Sequence, residues 1–131
     1  MSHAEPVWLD ALILEALHQN LIAEYGGSAG VRDPGLVESA LDRPRNKWHY
    51  EEDVDLPDLA AAYASGLVKN HGFIDGNKRI GATAIGVFLA LNGYELEAPE
   101  TELVAAILTV ATSEWSEEEL AAWIRDHTIE L

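Results

Sequence analysis

The chain has 131 residues and no cysteine, and its 8 Lys and Arg against 23 Asp and Glu give a formal charge of −15. That length suits a single domain over residues 1–131, and the acidic balance argues against direct nucleic-acid binding or a basic membrane-facing surface. The missing cysteines exclude disulfides, thiolate nucleophiles and Cys-ligated zinc, and no apolar run is long enough to span a bilayer. The opening MSHAEPVWLD lacks a basic stretch followed by an apolar one, so a cytoplasmic protein is expected.

Leu12, Ile13, Leu17, Leu21 and Ile22 recur at helical spacing and stop at Gly26-Gly27, which predicts a first helix. Asp33-Pro34 has the form of a cap and first helical residue, opening a short helix with Leu36, Val37 and Leu41 that Pro44 should end. The stretch RNKWHYEEDV over 45–54 lacks a helical period and holds two aromatics, so a loop or short hairpin is expected. Asp55 and Pro57 suit the start of a helix through Leu59, Ala62, Tyr63, Gly66 and Leu67, with a break at Asn70-His71-Gly72.

The next helix is expected from about Gly76 to Leu91. Its apolar residues cover most of its circumference, which would place it at the centre of a bundle. Asn92-Gly93 closes it, and Tyr94-Glu95-Leu96 is a short extended link. Pro99 opens a helix through Leu103, Ala106, Ile107 and Val110, and Ser116 with Glu119 forms a capping box for a last one carrying Leu120, Trp123 and Ile124. The expected fold class is all-α, a compact bundle of about six helices around a buried central helix.

Six of the eight basic residues, Arg43, Arg45, Lys47, Lys69, Lys78 and Arg79, fall between positions 43 and 79. The densest chemistry is the run His71-Gly72-Phe73-Ile74-Asp75-Gly76-Asn77-Lys78-Arg79, which turns between two helices and ends at the start of the second. A helix N-terminus presents unpaired N–H groups and partial positive charge, both suited to phosphate oxygens. Gly76 permits close backbone approach. Lys78 and Arg79 place two cations where a first helical turn ordinarily prefers acids, so an anion is expected there. Asp75 offers a hard oxygen ligand for Mg²⁺ when phosphates complete the shell. His71 can accept a proton near neutral pH, and Phe73 points inward to pin the turn.

Taken singly, these residues have plainer readings: Asp75 as an N-cap, Asn77, Lys78 and Arg79 as a solvated first turn, His71 as a surface histidine. A cap needs neither the histidine nor the paired cations, and their convergence within nine residues favours a site. A nucleotide P-loop is excluded. Three residues rather than four separate Gly72 from Gly76, Asn77 parts Gly from Lys, and Arg79 stands where a hydroxyl belongs.

The run closely resembles the H-x-F-x-[DN]-[AG]-N-K-R signature of the Doc (death-on-curing) toxins, the short branch of the Fic/Doc superfamily. Tyr25-Gly26-Gly27, Val31-Arg32-Asp33-Pro34-Gly35-Leu36 and Leu91-Asn92-Gly93 are similar to the same family, over roughly residues 9–127. The resemblance implies a compact helical fold and a set of roles. His71 is then the general base for a target hydroxyl and Asp75 the Mg²⁺ ligand. The Gly76-Asn77 backbone forms an anion hole, Arg79 and Lys78 act on the transferring phosphate, and Lys69 is a further phosphate contact. It also implies ATP as co-substrate, a Thr of elongation factor Tu as target, translation arrest, and a small antitoxin as partner. The AMP-transferring Fic enzymes carry G-N-G-R-x-x-R. Lys78 in place of the second Gly and Ala82 in place of the second Arg depart from that pattern and match Doc. AMP transfer and a catalytically silent binding module are the competing readings.

Overall fold

The structure is a computed structural model and describes residues 4–131. Met1, Ser2 and His3, part of the stretch read above for an export leader, lie outside the described residues. Six helices follow in chain order: α1 (Ala11–Tyr25), α2 (Pro34–Tyr50), α3 (Leu56–Asn70), α4 (Asn77–Leu91), α5 (Glu100–Ala111) and α6 (Glu117–Asp126). Two short strands, β1 (Tyr94–Leu96) and β2 (Thr128–Glu130), pair antiparallel with Tyr94 opposite Glu130. The all-α class holds, and the extended link after α4 has a partner at the far end of the chain. No helix among the described residues is long and apolar enough to cross a membrane.

Local chemistry sets most helix starts. Asp10 caps α1 by accepting from Ile13 N, and Asp33 caps α2 ahead of Pro34. Asp55 with Asp58 and Ser116 with Glu119 form reciprocal capping boxes for α3 and α6.

Two expectations need correcting. Pro44 does not end α2, which continues to Tyr50 and absorbs most of the loop expected over 45–54. Pro44 is buried in the helix, and packing against α3 outweighs the lost backbone hydrogen bond. The central helix is α3 rather than α4: Leu59 through Val68 are all buried, with α2, α4, α5 and α6 packed around them. Small residues make that enclosure possible. Gly66 lies against the Ala40 backbone, and a Cβ on Gly81 would come within 2.6 Å of a Val68 methyl. On α4, Ile80, Gly81, Ala84, Ile85, Phe88 and Leu89 face this core, while Ala82, Thr83, Gly86 and Val87 are only half-buried.

The course of α2 also decides what lies near the histidine turn. Val37, at its start, touches Gly72. At about 1.5 Å per residue, Tyr50 is then about 20 Å further along the axis, so the far end of α2 lies well away from His71. Lys47, near that far end, pairs with Glu51 at 3.2 Å and Glu117 at 3.4 Å.

Candidate active site at the turn between α3 and α4

Helix α3 ends at Asn70, and His71 follows it in the left-handed conformation, φ 52° and ψ 47°. For a residue with a Cβ this costs on the order of 1–2 kcal/mol and must be held by its surroundings. The loop between α1 and α2 does so. Arg32 donates from Nε to the His71 carbonyl at 2.7 Å and from Nη2 to the Asn70 carbonyl at 3.2 Å. The Arg32 and Asp33 amides both donate to the Gly72 carbonyl, at 2.8 and 3.0 Å. Gly72 fits only as glycine, because a Cβ would lie 2.6 Å from a Val37 methyl and 2.9 Å from its nitrogen.

Phe73 is buried and bridges to Val31, as the inward reading required. The Asn77 side chain brackets it, accepting from Phe73 N at 3.1 Å and donating to Phe73 O at 3.0 Å. Asn77 thus spends its amide group inside the turn. His18, on α1 and 2% exposed, stacks on Phe73 with ring centroids 3.9 Å apart and reaches the Asp75 carbonyl at 2.7 Å.

Asp75 is exposed and does not cap α4. Its Oδ1 accepts from Gly76 N at 2.8 Å and its Oδ2 from Ser28 N at 3.2 Å. These backbone amides, Gly76 first, hold its carboxyl below the usual carboxylate range, with Arg79 adding in the same direction against a smaller burial effect. Each oxygen keeps lone-pair capacity. Among the described residues no three His, Asp or Glu side chains cluster to enclose a metal, so a cation here would depend on Asp75 together with phosphate and water oxygens. A one-carboxylate site of this kind fits nucleotide-borne Mg²⁺.

Gly76, at φ 76°, is the cap residue of α4, and no side chain caps the first turn of that helix. Its own amide is taken by Asp75, so the amides free to meet an anion begin at Asn77. Lys78 and Arg79 stand exposed beside them, and the Arg79 guanidinium lies 4.6 Å over the Tyr25 ring. Lys69 is turned toward the α5–α6 connection, donating to Ser113 Oγ at 3.2 Å. Among the described residues Arg43, Lys47 and Arg125 are in salt bridges with carboxylates, whereas Arg32, Lys69, Lys78 and Arg79, all on or beside this turn, are in none; Arg45, on α2, is in none either and donates to the Leu9 carbonyl at 3.3 Å.

Sequence reasoning missed His18, Ser28 and the clamping role of Arg32. All three act across long chain separations. An apolar groove of about 370 Å³ opens next to Lys78 and Arg79, lined by Leu21, Tyr25, Leu103, Val104 and Leu108 from α1 and α5.

This is a compact helical protein with an ordered histidine turn feeding an uncapped, cationic helix N-terminus. The model of the Fic/DOC family matches residues 8–89, and the chain belongs to that family. It is 35% identical over 113 residues to "Protein kinase doc" of Escherichia phage P1, covering 86% of this chain and 88% of that protein. It is 40% identical over 75 residues to "Toxin Doc" of Mycolicibacterium smegmatis, covering 56% of this chain and 58% of that one. Both relatives stand on the Doc side of the family, in agreement with Lys78 and Ala82.

Proposed function

We propose that the chain is a Doc-type toxin that transfers the γ-phosphoryl group of ATP to a Ser or Thr hydroxyl of a translation factor, elongation factor Tu being the expected target. The observation that carries this reading is local. In a protein of charge −15, two exposed cations without carboxylate partners, Lys78 and Arg79, stand in the first turn of an uncapped helix beside Asp75, whose carboxyl backbone amides hold below the usual range.

In this reading the target hydroxyl attacks the γ-phosphorus and passes its proton to the His71 imidazole. The bond from γ-phosphorus to the bridging oxygen breaks, and ADP leaves. The Asn77, Lys78 and Arg79 amides and the two side-chain cations receive charge on the transferring group, where preorganised donors are most effective. Asp75 is the residue that would hold Mg²⁺, which supplies charge neutralisation on the nucleotide. Lys69 would have to leave Ser113 to reach a phosphate. The groove beside Arg79 is lined mainly by apolar side chains, which supports an antitoxin segment with an apolar face as its occupant.

The test is retention of label on elongation factor Tu from ATP labelled at the α or the γ position. Label from γ alone supports phosphoryl transfer, label from α would establish AMP transfer, and label from neither would leave a binding module. Asp75→Ala and Arg79→Ala provide the controls: the first should weaken Mg²⁺-dependent ATP binding, and the second should lower turnover.

A further inference from the structure

The chemistry proposed above leaves His18 unused, although it is a buried imidazole directly beneath the turn. We propose that His18 is a positioning residue: it latches the Asp75–Gly76 peptide in the one orientation that presents an amide, rather than a carbonyl, to the exposed face of the turn. This rests on the site reading above for its functional consequence, but the latch itself is a property of the free protein.

A carbonyl oxygen only accepts, so the 2.7 Å contact requires the proton on Nε2, with His18 donating to the Asp75 carbonyl. Stacking on Phe73, 14° from parallel, fixes the plane of the ring. Phe73 is itself fixed by the two Asn77 hydrogen bonds. The imidazole therefore has little freedom to follow a moving carbonyl.

A peptide unit is planar and trans, so an oxygen held inward sends the N–H of the same unit outward. That N–H belongs to Gly76 and donates to Asp75 Oδ1. One buried hydrogen bond thus fixes, through a rigid plane, where the exposed carboxylate sits.

The latch is needed because of Gly76. At φ 76° it occupies backbone space open to glycine, and glycine also populates the alternative turn in which the preceding peptide is rotated by about half a turn. In that alternative the Asp75 carbonyl would face outward and repel an anion, and the carboxylate would lose the Gly76 amide. Position 76 thus has the freedom the turn needs and the ambiguity that goes with it. His18 removes the ambiguity, and it does so from the buried side, where it cannot obstruct a ligand. A Cβ at Gly76 would lie 3.5 Å from His18 Nε2, so the peptide rests directly on the ring.

His18→Leu and His18→Gln test this, since the glutamine amide keeps a donor near the Nε2 position and leucine does not. In the ¹⁵N-labelled wild type, the His18 nitrogens should show a protonated Nε2 and the Gly76 amide a single resonance. In His18→Leu the Gly76 and Asn77 amides should broaden or split, and glutamine should restore one sharp set. In transfer assays the leucine variant should lose kcat on the order of 10²-fold, the scale of a displaced catalytic group, with the glutamine variant recovering most of it. A Gly76 resonance that is unchanged in His18→Leu overturns the latch, as does a folded glutamine variant no better than leucine. If the wild type transfers no phosphoryl group at all, the proposed reaction fails, while the resonances still decide the latch.

Discussion

The guanidinium of Arg32 closes the C-terminus of α3, with Nε 2.7 Å from the His71 carbonyl and Nη2 3.2 Å from that of Asn70. A cation at this end complements the helix dipole and satisfies carbonyls that have no partner within the helix. It also holds His71 in its left-handed conformation, so the backbone that carries the proposed base is fixed from outside its own helix. Arg32→Ala should therefore cost about 0.3–1 kcal/mol in stability, because the pair is exposed. Its effect on transfer should be larger than that loss would produce. Calorimetric melting and kcat on the same preparation separate the two effects, and an unchanged kcat would show that the clamp does not position His71.

His71 itself contributes little to the core, since its side chain is exposed and no hydrogen bond or ion pair to its imidazole is found among the described residues. His71→Ala should keep the melting temperature of the parent and still bind ATP. Transfer should fall by about 10²–10⁴, the usual contribution of a general base. Toxicity in cells lacking an antitoxin is the simplest readout, and a variant as toxic as the parent would remove His71 from the mechanism.

Gly72 has no room for a side chain, with Val37 on one side and two loop amides on its carbonyl. Gly72→Ala must push α2 away from the turn, and overpacking of this kind costs roughly 1–3 kcal/mol. The displacement falls on the segment that carries Arg32 and Asp33, so activity should drop together with stability. Urea titration and a transfer assay measure both, and an unchanged midpoint would show that α2 yields freely here.

The contrast between these residues explains what was legible in the sequence. The histidine turn was readable because its parts are consecutive: His71, Asp75, Lys78 and Arg79 declare their chemistry by type and spacing. Caps such as Asp33 and Ser116 are local in the same sense. The clamps were hidden. Arg32 and Ser28 reach the turn through pairings of residues 38 to 47 positions apart, which no periodicity reports. His18 is hidden because the apolar residues of α1 include Leu12, which is 78% exposed, while the buried positions are Leu14 and His18. Pro44 misled for a related reason, since a proline's helix-breaking effect is local and the packing that overrides it is not. The exchange of α3 for α4 as central helix has the same origin. Both are apolar or small nearly all round, and only tertiary contacts reveal that one side of α4 faces a groove.

Tyr63 gives the fold a pH dependence of its own. Its hydroxyl is buried and accepts from the Leu9 amide at 2.9 Å. Burial pushes the phenol up from 10.0 to about 12, against smaller opposing effects from the Leu9 hydrogen bond and the Arg45 charge. A raised pKa in the folded state means the unfolded chain releases its proton first. The stability is fully present below pH 10 and is lost as pH rises toward 12, by up to about 2 kcal/mol. Tyr63→Phe should start lower at neutral pH by about 1–3 kcal/mol, because the buried Leu9 amide loses its acceptor. Its stability should then decline less steeply above pH 10. Unfolding free energies of both proteins between pH 8 and 12 check this, and parallel curves would mean Tyr63 titrates normally in the folded state.

Lys78 is the residue by which the proposed reaction can be told from AMP transfer. It is exposed in the first turn of α4, lies in no salt bridge among the described residues, and follows directly on the first uncapped amide. In the AMP-transferring pattern a glycine stands here, leaving space for distal phosphates between the helix terminus and the arginine. In the proposed reaction the lysine here takes up that space and brings a cation to it, so that the γ-phosphoryl group would face His71 with ADP departing on the far side. Arg79, held 4.6 Å over Tyr25, supplies the second charge from the neighbouring position. Removing one such stabilising group commonly costs about 10²–10³ in kcat. Lys78→Gly should thus lower transfer from γ-labelled ATP by about that factor while ATP binding falls less, since binding retains Arg79, Asp75 and the helix amides. Lys78→Arg, which keeps the charge, should fall between the two. Incorporation of α label by Lys78→Gly would show that the side chain also excludes the reversed nucleotide. A glycine variant with the parent's γ-transfer rate would reduce Lys78 to a solvated first-turn residue.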